Sequence, residues 1–253
     1  MHDKAASLNL GFPGRDPLAR LMLLRAQVDG RIVFTTSFGI EDQFLTDLIF
    51  ANDLEIEIAT LDTGRLFPET YAVWAETERK YGKKVRAFYP GAAALETLVE
   101  TQGIDGQYES VAQRKTCCEV RKVAPLRRAL EGAGAWVTGL RADQSDNRRG
   151  IPFVTFDPSF RILKANPLAS CSRDQIVAEV EDRGVPVNAL HAQGFPSIGC
   201  APCTRAIQPG EDERAGRWWW EQDDKKECGL HVAADGKIVP RGTPRTGDRP
   251  WAV

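Results

Sequence analysis

Four cysteines arranged as two pairs, the adjacent Cys117 and Cys118 and the Cys-x-x-Cys of Cys200 and Cys203, narrow the chemistry of this chain more than any other residues in it. Thiolates bind soft metals, and two thiol pairs roughly eighty residues apart read most simply as four ligands that the fold brings together. Zinc would need all four sulfurs on one tetrahedral ion, which adjacent residues reach awkwardly. A 4Fe-4S cube offers each thiolate its own iron. The adjacent pair therefore favours the cluster. A zinc site, or two buried cysteines with an incidental Cys-x-x-Cys, are the competing readings. Of the two remaining cysteines, Cys171 has no cysteine partner at ligand spacing and reads as a small buried hydrophobe. Cys228 follows the polar run Glu221 to Glu227 and precedes Gly-Leu-His231. A cysteine there gains little from burial, so reactivity explains it better than packing does.

The elements that must position these residues alternate strand and helix. Arg31 to Ser37 is a short β-branched run that passes through Phe38-Gly39 into a stretch with Phe44, Leu45, Leu48 and Ile49 at helical spacing. Such a junction offers backbone N–H groups and the Ser37 hydroxyl to a phosphate, but it is not a Walker loop, because no Gly-Lys-Ser/Thr follows. The unit repeats from Ile56 through the turn Asp62-Thr63-Gly64 into a helix after Pro68, and again from Val85 to Thr101. This alternation predicts a doubly wound, mostly parallel α/β sheet with its ligand site at the carboxyl ends of the strands. A packing helix is expected over Asp16 to Val28, with Leu18, Leu21, Met22 and Leu24 on one face. Tyr71 and Trp74 are expected to pack inward. The vicinal cysteines are expected to open a helix running to about Leu130, bent or interrupted by Pro125. Beyond it, a strand at Ala135 to Gly139 leads into a loop rich in arginine, which implies an anion nearby. A late hairpin is expected from Phe153 to Leu168, and Ser172 to Gln175 reads as a capping box. Trp218-Trp-Trp220 reads as core or subunit contact.

Composition bounds the rest. The chain has 253 residues, with 33 basic and 35 acidic, and this balance points to neither a nucleic-acid nor a membrane partner. The N-terminal stretch lacks the pattern of a signal peptide and no segment is long and apolar enough to span a bilayer, so a cytoplasmic protein is expected. A reducing compartment argues against a disulfide framework and leaves metal binding and catalysis as the uses of the cysteines.

Taken together, Ser37-Phe-Gly-Ile-Glu-Asp42, Leu61-Asp-Thr-Gly64, Lys115-Thr-Cys-Cys118 with Arg121-Lys122, Gly139-Leu-Arg-Ala-Asp-Gln-Ser145, Ile198-Gly-Cys-Ala-Pro-Cys203 and Glu227-Cys-Gly-Leu-His231 resemble the iron-sulfur form of the assimilatory sulfonucleotide reductases, the form that reduces adenylyl sulfate. The resemblance implies a modified PP-loop nucleotide-binding fold over residues 1–220, followed by a mobile segment 221–253 that carries the catalytic cysteine. It implies that Cys117, Cys118, Cys200 and Cys203 hold a 4Fe-4S cluster. Ser37 and Gly39 would line the sulfate-binding loop, with Leu61, Thr63 and Gly139 around the adenosine. Lys122, Arg141, Arg148, Arg214 and Arg217 would surround the phosphosulfate, with His231 also in the substrate site. Cys228 would be the nucleophile and a thioredoxin or glutaredoxin-like dithiol protein the reductant. A homo-oligomer is left open. The alternatives are a reductase preferring the 3'-phosphorylated nucleotide and an ATP-using tRNA-thiolating or adenylylating enzyme, although the latter needs a Ser-Gly-Gly-x-Asp loop where this chain has Phe38.

Overall fold

The computed structural model describes residues 2–144 and 148–221. Six strands form one sheet in the order β3-β2-β1-β4-β6-β5. They are β1 (Arg31–Thr36), β2 (Glu57–Leu61), β3 (Arg86–Phe88), β4 (Ala133–Val137), β5 (Val154–Asp157) and β6 (Ile162–Ala165). All pairings are parallel except that of the edge strand β5, which closes the expected hairpin antiparallel to β6. The alternation of side chains along β1 shows why helices are needed on both faces. Ile32 and Phe34 point into one core with Leu21 and Leu24 of α2 (Pro17–Gln27), Phe44, Leu45 and Leu48 of α3 (Ile40–Ala51) and Ile176 of α8 (Arg173–Asp182). Val33 points the other way, into a smaller core with Trp136, Leu126, Ala129 and Leu130, the last three on α7 (Ala124–Leu130).

The third strand leads into α5 (Ala92–Gln102), and several helix limits follow from caps that the sequence displays. Asp16 accepts from Ala19 N at 2.7 Å to start α2, and Ser172 and Gln175 form a reciprocal capping box at the start of α8. Among the described residues no helix is long and apolar enough to cross a membrane.

Three expectations need correction. The vicinal cysteines do not open a helix; they close α6 (Val111–Cys118), which Ser110 caps by accepting from Gln113 N at 3.1 Å. This helix buries Arg114 and Cys118, one turn apart, rather than an apolar stripe, so apolar periodicity could not reveal it. The chain then continues through a π-helical turn, Glu119–Val123, into α7, where Pro125 occupies the first turn and needs no N–H partner. The interruption expected at Pro125 is therefore present, on its N-terminal side. Second, Met22 is 54% exposed, leaving Leu21 and Leu24 as the buried face. Third, Tyr71 of α4 (Pro68–Tyr81) is 39% exposed and donates its hydroxyl to Asp62 at 2.8 Å, whereas Trp74 packs inward and stacks on Phe38. One helix is not expected from the sequence: α1 (His2–Gly11), seated on β5 through Asn9, which exchanges two hydrogen bonds with the backbone of Val154.

Candidate active site

Strand order reverses between β1 and β4, and a crevice opens there at the carboxyl ends, the place where open α/β sheets bind ligands. A cavity of about 200 Å³ occupies it. Its floor is the loop that leaves β1. Phe38 holds φ at +59°, a conformation that disfavours side chains, and is kept there by complete burial against Trp74. An aromatic that the core clamps thus holds the left-handed turn of this loop. The neighbouring Ser37 donates its backbone N–H and its hydroxyl to Asp42 Oδ2, at 2.6 and 2.7 Å. Asp42 reaches the cavity but protein surrounds it enough for burial to push its carboxyl up to about 6, against the Ser37 hydrogen bonds and the charge of Arg148.

Ser37, Gly39, Leu61, Thr63, Lys122, Gly139, Arg148, Arg214 and Arg217 all line this cavity, contributed by the end of β2, the π-helical turn and the loops after β1, β2, β4 and α8. Gly139 has a steric reason to be glycine: a Cβ there would collide with Asp42 Oδ1 and sit 3.3 Å from Glu41 Cβ. Arg141 is placed otherwise than expected. It lies behind the wall, 1% exposed, where it donates to Glu41 at 2.9 Å and to Glu213 at 2.9 and 3.0 Å, and also pairs with Asp143. Glu213 is bound in turn by Arg173 at 2.6 Å. Arg141 therefore neutralises two carboxylates, Glu41 and Glu213, that themselves face the cavity. Cys228 and His231 lie outside the described residues.

Beside this cavity the four cysteines converge. Cys117, Cys118, Cys200 and Cys203 line a second pocket together with Arg65, Arg114, Arg121, Lys122 and Trp218. Cys118, Cys200 and Cys203 pack with Trp218 in one buried cluster. All four are free thiols, and among the described residues no three His, Cys, Asp or Glu side chains form the ligand set of a single ion. The Cys-x-x-Cys is held by a tight turn, Ala201–Cys203, in which Cys203 N donates to Cys200 O at 2.9 Å, while Ala201 N donates to Arg65 O at 2.8 Å. Burial would raise the Cys200 thiol, but Lys122, the Thr63 hydroxyl at 3.2 Å, Arg217 and Arg121 together hold it below its ordinary value. Burial and the nearby Cys200 push Cys203 up to about 11. The π-helical turn aims Arg121 at this pocket, where its Nη1 donates to Thr63 O at 2.7 Å. The buried Nε of Arg121 and Nε1 of Trp218 have no hydrogen-bond partner among the described residues.

Lys122 and Trp218 line both pockets, so the cation-lined cavity and the thiol pocket share a wall. Comparison with known proteins accords with this layout. The sequence profile of the phosphoadenosine phosphosulfate reductase domain matches residues 31–206. The chain belongs to that family. It is 53% identical over 241 residues to the adenosine 5'-phosphosulfate reductase of Sinorhizobium fredii (strain USDA 257), covering 95% of this chain and 96% of that one. It is 52% identical over 200 residues to the protein of the same name from Allochromatium vinosum, covering 79% and 78%. Among solved structures it resembles the phosphoadenylyl-sulfate (PAPS) reductase from Candida auris in its phosphate complex, with a TM-score of 0.66 at 25% identity over 78% of this chain and 94% of that one.

Sequence reasoning missed the acidic side of this cavity, Glu41, Asp42 and Glu213. Glu41 and Asp42 stand inside the quoted Ser37–Asp42 motif, and their position in the first turn of α3 signals that they face the strand ends. Glu213 lies in a polar stretch with no periodicity, and nothing in the sequence marks it. Trp218, expected as core or contact, is core, being 1% exposed, and is also the partition between the two pockets.

Proposed function

We propose that this reductase converts adenylyl sulfate to sulfite and AMP in sulfate assimilation, through an S-sulfonate on Cys228 that a dithiol protein resolves. The observation that carries the reading is the four-thiol pocket sharing Lys122 and Trp218 with a cation-lined cavity at the strand switch point. The naming of the bacterial relatives as adenosine 5'-phosphosulfate reductases supports the same substrate.

The Cys228 thiolate attacks the sulfur of the sulfate; an S–S bond forms, the bond from sulfur to the bridging phosphate oxygen breaks, and AMP departs with the electron pair. A thiolate of the reductant then attacks the Cys228 sulfur and expels sulfite. The second thiol of the reductant resolves the mixed disulfide, so that two electrons pass from dithiol to sulfur and the Cys228 thiolate is regenerated. Lys122, Arg148, Arg214 and Arg217 offset the phosphosulfate charge that would repel the incoming thiolate, and they stabilise charge moving onto the phosphate. Arg141 serves them indirectly by holding Glu41 and Glu213 neutralised. Ser37 and Gly39 present the loop to the sulfate end, with Leu61, Thr63 and Gly139 beside the adenosine.

The thiol pocket fits a 4Fe-4S cluster held by Cys117, Cys118, Cys200 and Cys203. Four sulfurs line it, cationic Arg121 and Lys122 balance an anionic cage, and the unpartnered N–H groups of Arg121 and Trp218 are donors that thiolate or sulfide would satisfy. When bound, the cluster supplies structural and electrostatic support. Residues 1–220 form the nucleotide-binding unit, 221–253 bring Cys228, the reductant is a thioredoxin or a glutaredoxin-like protein, and the compartment is cytoplasmic.

Steady-state turnover with reduced thioredoxin tests the reading. A higher kcat/KM for adenylyl sulfate than for its 3'-phosphorylated form supports it, and the opposite order overturns the substrate assignment. Anaerobically prepared protein should hold about four irons per chain, and changing any one of the four pocket cysteines to serine should bleach it. Zinc in place of iron would overturn the cluster.

A further inference from the structure

Arg114 and Glu221 form a buried ion pair with no part in the chemistry described above. Arg114 Nε and Nη2 donate to Glu221 Oε1 and Oε2 at 2.8 and 2.7 Å, and the two side chains are only 2% and 4% exposed. Two such charges in the interior give little net stability over apolar residues of the same volume; their better attested use is to fix one arrangement among several. The surroundings show what is fixed. Arg114 sits on α6 one turn before Cys118 and lines the thiol pocket. Its guanidinium lies 4.7 Å from the ring centre of Trp218, and Arg217, which lines the substrate cavity, lies 4.8 Å from the same ring. Trp218 holds φ at +45°, strained for a tryptophan, and this turn, closed by the bond from Glu221 N to Trp218 O at 2.9 Å, brings the Glu221 carboxylate back to Arg114. A strained turn, a cation-π pair and a bidentate buried ion pair therefore all determine the position of one backbone point, residue 221.

Cys228 follows seven residues later, a reach of about 25 Å at full extension. We propose that Arg114 and Glu221 are positioning residues: the pair fixes, against the thiol pocket, residue 221, seven positions before Cys228 in the chain, and so sets how the Cys228 thiolate is delivered to the cavity. This rests on the reading that Cys228 is the nucleophile. Neither residue touches substrate, so nucleotide binding and sulfur transfer separate when the pair is broken.

The test uses the full chain, prepared anaerobically, as wild type, Glu221→Gln and the double variant Arg114→Met/Glu221→Leu. The double variant leaves no lone buried charge and keeps the test open if Glu221→Gln does not fold. Four quantities are measured: AMP affinity, melting temperature, the single-turnover rate of Cys228 sulfonation by adenylyl sulfate without reductant, and the rate of tryptic cleavage at Lys225 and Lys226. The double variant should melt as the wild type does and bind AMP within about threefold, yet sulfonate about a hundredfold more slowly, the scale on which displacing a reacting group acts. Cleavage at Lys225 and Lys226 should quicken. Wild-type sulfonation and cleavage rates in the double variant would overturn the proposal and leave the pair a purely structural one. Absence of sulfonate on wild-type Cys228 would overturn the nucleophile instead, and the cleavage rates would still decide whether the pair anchors the segment.

Discussion

Asp42 gives the sharpest quantitative expectation, because it is an acidic group in a cavity lined by Lys122, Arg148, Arg214 and Arg217. Burial is the largest influence on it and lifts its carboxyl from 3.8 to about 6 even though Ser37 donates to it twice. The folded chain therefore holds this proton more tightly than the unfolded chain does. The stabilisation is fully present below about pH 4 and is lost as pH climbs through about 6, for a total cost of about 3 kcal/mol at neutral pH. The amide introduced by Asp42→Asn does not titrate, so comparing the variant with the wild type cancels every other group. Between about pH 5 and about pH 7.5 the stability of the variant relative to wild type should rise by about 1.4 kcal/mol, roughly tenfold in the folded-to-unfolded ratio. Chemical denaturation of both proteins at the two pH values, followed by circular dichroism, measures it. A stability difference that is the same at both pH values, or that shrinks as pH rises, would refute the reasoning that burial dominates at Asp42.

Three further outcomes follow from the geometry. Gly139→Ala drives a Cβ into Asp42 and toward Glu41, and should weaken AMP binding about tenfold or more, read by calorimetry. Gly199→Ala places its Cβ against the Arg217 guanidinium, with Nη1 at 2.9 Å; displacing that cation should lower kcat/KM for adenylyl sulfate while circular dichroism stays unchanged. Arg141→Met leaves Glu41 and Glu213 without their shared partner and should destabilise the fold by about 3–5 kcal/mol in a denaturant titration, the scale for breaking a buried pair.

The parts of this molecule that are legible in the sequence are those where local chemistry and the wider fold agree. The β-branched run Arg31 to Thr36, the capping box at Ser172 and the arrest at Pro125 each specify their element within a few residues, because each depends on neighbours in the chain. The cysteine pairs are legible as a joint site because thiolates have few other uses at that spacing. Helix α6 is not, because its buried face is made of Arg114 and Cys118, which only a partner elsewhere in the chain makes worth burying. Arginine near a strand end commonly binds an anion, and that general rule is what misplaces Arg141. Its three acidic partners come from positions 41, 143 and 213, and only the fold shows that they reach it first. The same limitation hides the shared wall, since Trp218 touches both pockets through the geometry of one left-handed residue.

Cys118 and Cys200 enclose a span of chain that contains α7, the strands β4, β5 and β6, and α8, half of the sheet. Any group that binds both thiol pairs is therefore a cross-link closing a loop of roughly eighty residues, and the chain-entropy relation for cross-links assigns such a closure about 4–5 kcal/mol. That is comparable with the whole net stability of an ordinary domain, about 5–15 kcal/mol. With such a group bound, the thiol pocket would act as a clasp on the far half of the sheet as well as a neighbour of the cavity. Opening it returns to the unfolded chain the freedom of every element between the two pairs, including β4, whose carboxyl end supplies one side of the crevice.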